Sequence, residues 1–175
     1  MSQRRILVLR HAEKTGDPMN IDLSPAGAIR AQKLADYIPA TFGTPQILIA
    51  TALSKHSDRP VETLTPLSQR MGLAIESNFG NEEWAELAHD LMVNPRYVGA
   101  LIVVCWHHGT IPALMQSLGV STEYIPNPWP DDVFNLILDT KIVDDARPAV
   151  TEVNAPYRWS PSYGKLDRCR AHVFG

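Results

Sequence analysis

Cysteine is scarce in this chain. Its two cysteines, Cys105 and Cys169, show no paired-motif spacing in 175 residues, which argues against a disulfide framework or a Cys-x-x-Cys metal or redox motif. No apolar run is long enough to cross a bilayer, and no charged-then-apolar leader opens the sequence, so a cytoplasmic protein without membrane partners is expected. Positive charge is in deficit: 16 Lys and Arg against 19 Asp and Glu give a net charge of -3, which argues against a broad nucleic-acid surface. There is no Gly-Lys-Ser/Thr phosphate loop, and no arginine in the stretch after Cys105 that a cysteine phosphatase would need. Repeats and low-complexity tracts are missing too. What is present is 45% hydrophobic residues, enough for one globular domain with a substantial core, taken here as residues 1–175.

The apolar residues fall into short runs separated by helical patterns. Ile6-Leu7-Val8-Leu9 reads as a buried strand that ends abruptly in Arg10-His11-Ala12-Glu13-Lys14. Asp17 to Leu23 reads as a loop over that edge. Ser24-Pro25 then supplies an N-cap with proline at the first helical position, and Ala28, Ala31, Leu34, Ala35 and Ile38 keep helical spacing until Pro39, expected to stop the helix. Ile47 to Ala50 is a second strand, completing a βαβ unit, and runs into the polar, basic stretch Thr51 to Pro60. Because an interior proline costs about 3 kcal/mol, the region after Arg59 reads as a turn or short helical piece, followed by a helix capped by Thr65-Pro66 and ended at Gly72.

Leu73 to Ile75 is a brief third strand. Asn81 to Val93 is a helix with Trp84, Leu87, Ala88 and Leu91 as its apolar stripe. Ala100 to Cys105 is the clearest buried strand, leading into Trp106-His107-His108-Gly109-Thr110, and Ile111-Pro112 opens a helix through Leu118 with Gly119 as its cap. Pro126 to Pro130 is a proline-rich loop, Val133 to Val143 a last strand, and 144–175 an irregular tail that wraps the domain, covers the site or joins an oligomer.

Three strand ends therefore carry ionisable groups, and in an open α/β sheet ligands collect at such ends. Arg10-His11, Arg59 with Lys55 and His56, and His107-His108 form a set suited to phosphoryl transfer. Guanidinium groups take phosphate oxygens through forked, charge-assisted bonds, and a neutral imidazole can attack phosphorus and carry the group covalently. Nearby arginines oppose protonation of that imidazole. The leaving oxygen needs a proton, for which Glu83, with Glu82 as runner-up, is the carboxylic acid near the end of the third strand. First-turn carboxylates that complement the helix dipole read equally well at both positions. A metal pair at His107-His108 has little support, since adjacent side chains rarely face one ion and no other ligand-spaced motif accompanies them.

In this order the residues resemble the histidine phosphatase superfamily, which includes the phosphoglycerate mutases. Arg10-His11-Ala12-Glu13 is similar to its Arg-His-Gly-Glu signature, and Leu23-Ser24-Pro25-Ala26-Gly27, continuing to Arg30-Ala31, to the opening of its first helix. Arg59-Pro60-Val61-Glu62-Thr63 resembles its Arg-x-x-Gln-Thr segment, and Val103 to Pro112 its strand-histidine-helix segment. The resemblance implies a three-layer αβα sandwich with a mostly parallel mixed sheet, no metal and no cofactor. It makes His11 the phosphorylated nucleophile, Arg10 and Arg59 the phosphate arginines, and His107 the second histidine. The activity it implies is hydrolysis of a phosphate monoester, on a small phosphorylated substrate or a phosphoprotein. A binding or regulatory protein that keeps the pocket with little turnover is the other reading, and a mutase a third. Ala12 stands where glycine is usual, and Trp106, also at a common glycine position, is expected to shape the substrate pocket.

Overall fold

The computed structural model describes residues 3–143 and 148–155. A six-stranded sheet runs in the order β3-β2-β4-β1-β5-β6, with β1 Gln3–Arg10, β2 Ile47–Ala50, β3 Ile75–Glu76, β4 Leu101–Trp106, β5 Leu136–Val143 and β6 Ala149–Asn154. β3, β2, β4 and β1 are parallel, while β5 is antiparallel to β1 and β6 to β5. The helices are α1 Pro25–Phe42, α2 Arg59–Met71, α3 Trp84–Val93 and α4 Ile111–Ser117.

The period-two alternation of the central strands divides the core between two faces. Ile6 and Val8 of β1 join Ile102, Val104 and Trp106 of β4 against Leu87, Leu91, Leu114 and Met115 of α3 and α4. Leu7 and Leu9, with Leu101, Val103 and Cys105, meet Leu34, Ile38, Leu64 and Leu67 of α1 and α2. Both central strands are buried on both faces, so they read as continuous apolar runs rather than alternating ones. The result is the three-layer αβα arrangement with a mixed sheet.

Several boundaries differ from the sequence expectation, and burial explains most of them. Pro39 does not stop α1, which continues to Phe42 because Ile38 and Phe42 pack into the core on either side of it. Likewise α2 is one helix from Arg59, with Pro66 inside it. The interior proline costs about 3 kcal/mol. Burying Leu64 and Leu67 on that face returns about 1.5–3 kcal/mol each, so packing outweighs the break.

β3 comes later and shorter than expected, and β5 starts at Leu136 because Val133, Phe134 and Asn135 belong to the preceding loop. Residues 81–83 form a turn before α3 rather than its first turn, since the Glu83 carboxylate folds back to accept from Gly80 N–H at 2.6 Å. β6 has no counterpart in the sequence expectation: its residues are exposed except for half-buried Val150 and Val153, so it carries no apolar run. The remainder of the expected tail, 156–175, lies outside the described residues.

The βαβ reading of β1-α1-β2 holds with a qualification, because β4 lies between β1 and β2. That insertion sets the exits of β2, β4 and β1 side by side. His11 N–H donates to Trp106 O at 3.1 Å, and Thr51 N–H donates to Cys105 O at 3.3 Å.

Candidate active site

His11 follows β1 directly and is 2% exposed. Its Nδ1 lies 2.7 Å from the Ala12 carbonyl. A carbonyl oxygen can only accept, so Nδ1 carries the proton and Nε2 of the neutral ring keeps its lone pair. Burial is the main reason that His11 is pushed down to about 3, opposed by the Ala12 bond and reinforced by the charges of His107, Arg10 and Arg59. The His107 ring stands edge-on to it, 5.3 Å between centroids and 69° between planes. Burial, then Arg59, His108 and Arg10, push His107 down to about 4. Both imidazoles are therefore neutral near pH 7.

The turn that carries His11 is fixed from two sides. Ala12 N–H donates to Thr63 Oγ at 2.9 Å, and the same hydroxyl donates to Arg59 O at 2.7 Å, tying the His11 turn to the start of α2. Glu62, where the related motif has Gln, accepts from Leu23 N–H at 2.7 Å. On the other side Glu13 holds α1: its carbonyl accepts from Ser24 N–H at 2.8 Å, and its carboxylate takes a bidentate ion pair from buried Arg30, with the shortest contact at 2.6 Å. Ser24 Oγ caps the helix by accepting from Gly27 N–H at 3.1 Å. Gly27 is required by close approach, since a Cβ there would lie 2.3 Å from Glu13 O. The Leu-Ser-x-x-Gly and Arg-x-x-x-Thr segments thus brace the His11 turn, a role that composition alone does not reveal.

Arg10, 2% exposed, turns its guanidinium into the loop before β5. Nη1 donates to Asp131 O at 2.7 Å, with Pro130 O at 3.3 Å and Val133 O at 3.4 Å, and the Phe134 ring lies 3.9 Å from the guanidinium carbon. Burial lowers it to about 10, against the opposing charges of Asp131, Glu13 and Asp132. Arg59 is held by Asn20 O at 3.0 Å and His56 O at 3.3 Å, and its pKa is likewise lowered by burial. Nε of each arginine is buried without a hydrogen-bond partner among the described residues. Two such donors beside a neutral imidazole fit a tetrahedral oxyanion.

Other expected positions fall further away. Lys55 and His56 are exposed, and His56 contributes its backbone carbonyl to Arg59. His108 donates from Nε2 to Asp131 Oδ1 at 3.1 Å, beside the Arg10 loop. Trp106 does not line the pocket as expected: it is fully buried against the α3/α4 face, because strand alternation turns it to the same side as Val104. Glu83 and Glu82 are both exposed on the 81–83 turn, which Asn81 joins to the His107 segment by accepting from Thr110 Oγ at 2.6 Å. No hydrogen bond among the described residues links either glutamate to His11. Sequence reasoning missed Thr63, Glu13, Arg30 and the 130–134 loop as supports of the site. Among the described residues no group of three or more His, Cys, Asp or Glu is placed to hold a metal ion, and no helix is long and apolar enough to cross a membrane.

The architecture is a phosphoglycerate mutase-like α/β fold. Among solved structures, a mycobacterial glucosyl-3-phosphoglycerate phosphatase superposes with a TM-score of 0.63 at 15% identity, covering 88% of this chain and 100% of that one. Phosphoglycerate mutase from Plasmodium falciparum gives 0.61 at 13% identity, covering 99% and 100%. The protein histidine phosphatase SixA complexed with tungstate gives 0.61 at 13% identity, covering 86% and 96%. No family model and no curated protein matches the sequence.

Proposed function

We propose that this protein is a phosphohydrolase that cleaves a phosphate monoester through a phosphohistidine on His11. The observation that carries the reading is the Nδ1–Ala12 bond, which leaves Nε2 as the lone-pair nitrogen of a ring kept neutral by burial and by two arginines. Arg10 and Arg59 bind the phosphoryl oxygens, and His107 stabilises charge on the transferring group. The Nε2 lone pair forms the N–P bond as the P–O bond to the leaving group breaks, and the leaving oxygen takes a proton from the Glu83 carboxylic acid. Water then attacks phosphorus and gives its proton to the Glu83 carboxylate, the N–P bond breaks, and inorganic phosphate departs.

The solved neighbours lend support at the level of chemistry. Two of them are named as phosphatases, and one of these has also been solved with inorganic phosphate. The chemistry proposed needs no metal. A cytoplasmic setting fits the buried free thiol of Cys105, and recovery of the native protein mainly from periplasm or membrane would overturn it.

Hydrolysis of an aryl phosphate tests the reading. Turnover is expected to persist in chelator, to vanish in His11→Ala, and to yield an acid-labile phosphoprotein when quenched early. Phosphate binding with no turnover across a broad ester panel would favour a binding protein, and chelator-sensitive turnover would revive a metal at His107 and His108.

A further inference from the structure

The loop from Trp129 to Phe134 is built in a way that its place between α4 and β5 does not require. Trp129 is 3% exposed and donates from its indole nitrogen to Val133 O at 3.0 Å, while Val133 N–H returns to Pro130 O at 3.2 Å. These two bonds close a tight turn whose carbonyls, those of Pro130, Asp131 and Val133, converge on a single nitrogen, Nη1 of Arg10. Phe134 covers the guanidinium at 3.9 Å. A second tie, His108 to Asp131 Oδ1 at 3.1 Å, holds the same turn to the segment after β4.

A guanidinium has two forked edges. The carbonyl cluster occupies Nη1, and the ring fixes the plane. What remains is the edge formed by Nε and Nη2, and Nε is buried with no partner among the described residues. A side chain with this many rotatable bonds otherwise loses much of its rotamer freedom when it binds, so a pre-set plane lowers the cost of engaging an oxyanion.

We propose that the 129–134 loop is a positioning clamp for Arg10, with Phe134 and the Asp131 carbonyl as the positioning groups. Its role is to present the Nε/Nη2 edge to the phosphoryl oxygens. The inference rests on the proposed phosphate site, and inorganic phosphate is the probe that separates the two.

Calorimetric titration with inorganic phosphate should show Phe134→Leu binding about 10-fold more weakly than the unaltered protein, the loss expected for a buried cation–ring contact. Phe134→Tyr, which keeps the ring, should bind within about 2-fold. With an aryl phosphate the loss should appear in KM more than in kcat. If Leu at this position does not fold, Phe134→Met preserves volume and carries the same expectation. Unchanged affinity in the folded ringless variant, or equal losses in the ringless and Tyr variants, would overturn the clamp and leave the phosphate site standing. Absence of phosphate binding by the unaltered protein would overturn both.

Discussion

Replacing Gly27 by alanine sets two effects of opposite sign against each other. Alanine is the better helix former by about 1 kcal/mol, so helix propensity alone makes Gly27→Ala stabilising. Against this, the new Cβ would lie 2.3 Å from Glu13 O and 3.0 Å from Glu13 N, both backbone atoms. Neither can swing aside independently, because that carbonyl already accepts from Ser24 N–H and the Glu13 side chain is clamped by Arg30. Overpacking of this kind costs about 1–3 kcal/mol, and a 2.3 Å approach to a backbone oxygen belongs to the upper part of that range, so the clash outweighs the propensity and a net destabilisation of up to about 2 kcal/mol is expected. The displacement also passes through Ala12 to His11, and an error of about 1 Å at a reacting group can cost 10²-fold in rate. Urea unfolding gives the first quantity and aryl phosphate turnover the second. A variant with a raised urea midpoint and normal turnover would show that α1 does not press on the His11 turn.

Three further outcomes are expected from the same geometry. Thr63→Val leaves Ala12 N–H unpaired in a buried place and should cost about 1–3 kcal/mol by urea unfolding with a large loss of turnover, while Thr63→Ser keeps both. Glu83→Gln should slow an alkyl phosphate by roughly 10²-fold and barely affect an activated aryl phosphate; equal loss on both substrates would assign Glu83 to binding, and no loss on either would leave Glu82 or the substrate as donor. His11 and His107, pushed down to about 3 and about 4 from an ordinary 6.5, stay neutral while the unfolded chain takes up protons, so stability is full above about pH 6.5 and falls by several kcal/mol on acidification towards pH 4. Imidazole NMR signals checked from pH 5 to 7 should show neither ring titrating, and ordinary titration near 6.5 would refute the burial argument.

The strand exits were legible because each shows the same signature: an apolar run that ends in ionisable residues. That signature located Arg10-His11 and His107-His108, and the structure brings the rings of His11 and His107 into contact. Ser24-Pro25 marked the start of α1 because capping is a local matter. Pro39 and Pro66 misled because local propensity there is overridden by Ile38, Phe42, Leu64 and Leu67, whose burial is set by distant parts of the chain. The Arg10 loop was hidden for a different reason. Its contribution comes from backbone carbonyls, which every residue carries, and Phe134 is an aromatic like any other until Arg10 lies against it. Edge strand β6, exposed except for half-buried Val150 and Val153, has no composition to announce it.

The insertion of β4 between β1 and β2 also governs the order in which the molecule can be made. Neither early strand hydrogen-bonds to the other; β1 finds its partners at residues 101–106 and 137–143, and β2 finds its own at 102–105 and 75–76. A nascent chain that has emerged only as far as α3 can therefore pair β2 with β3 but leaves β1 without a neighbour. His11 waits on residues almost a hundred positions downstream. Contacts of such long range exact loop-closure entropy before they return any stabilisation, which makes folding slow relative to a domain built from local hairpins. The arrival of β4 thus joins β1 to the β2–β3 pair and, in the same event, sets His107 beside His11.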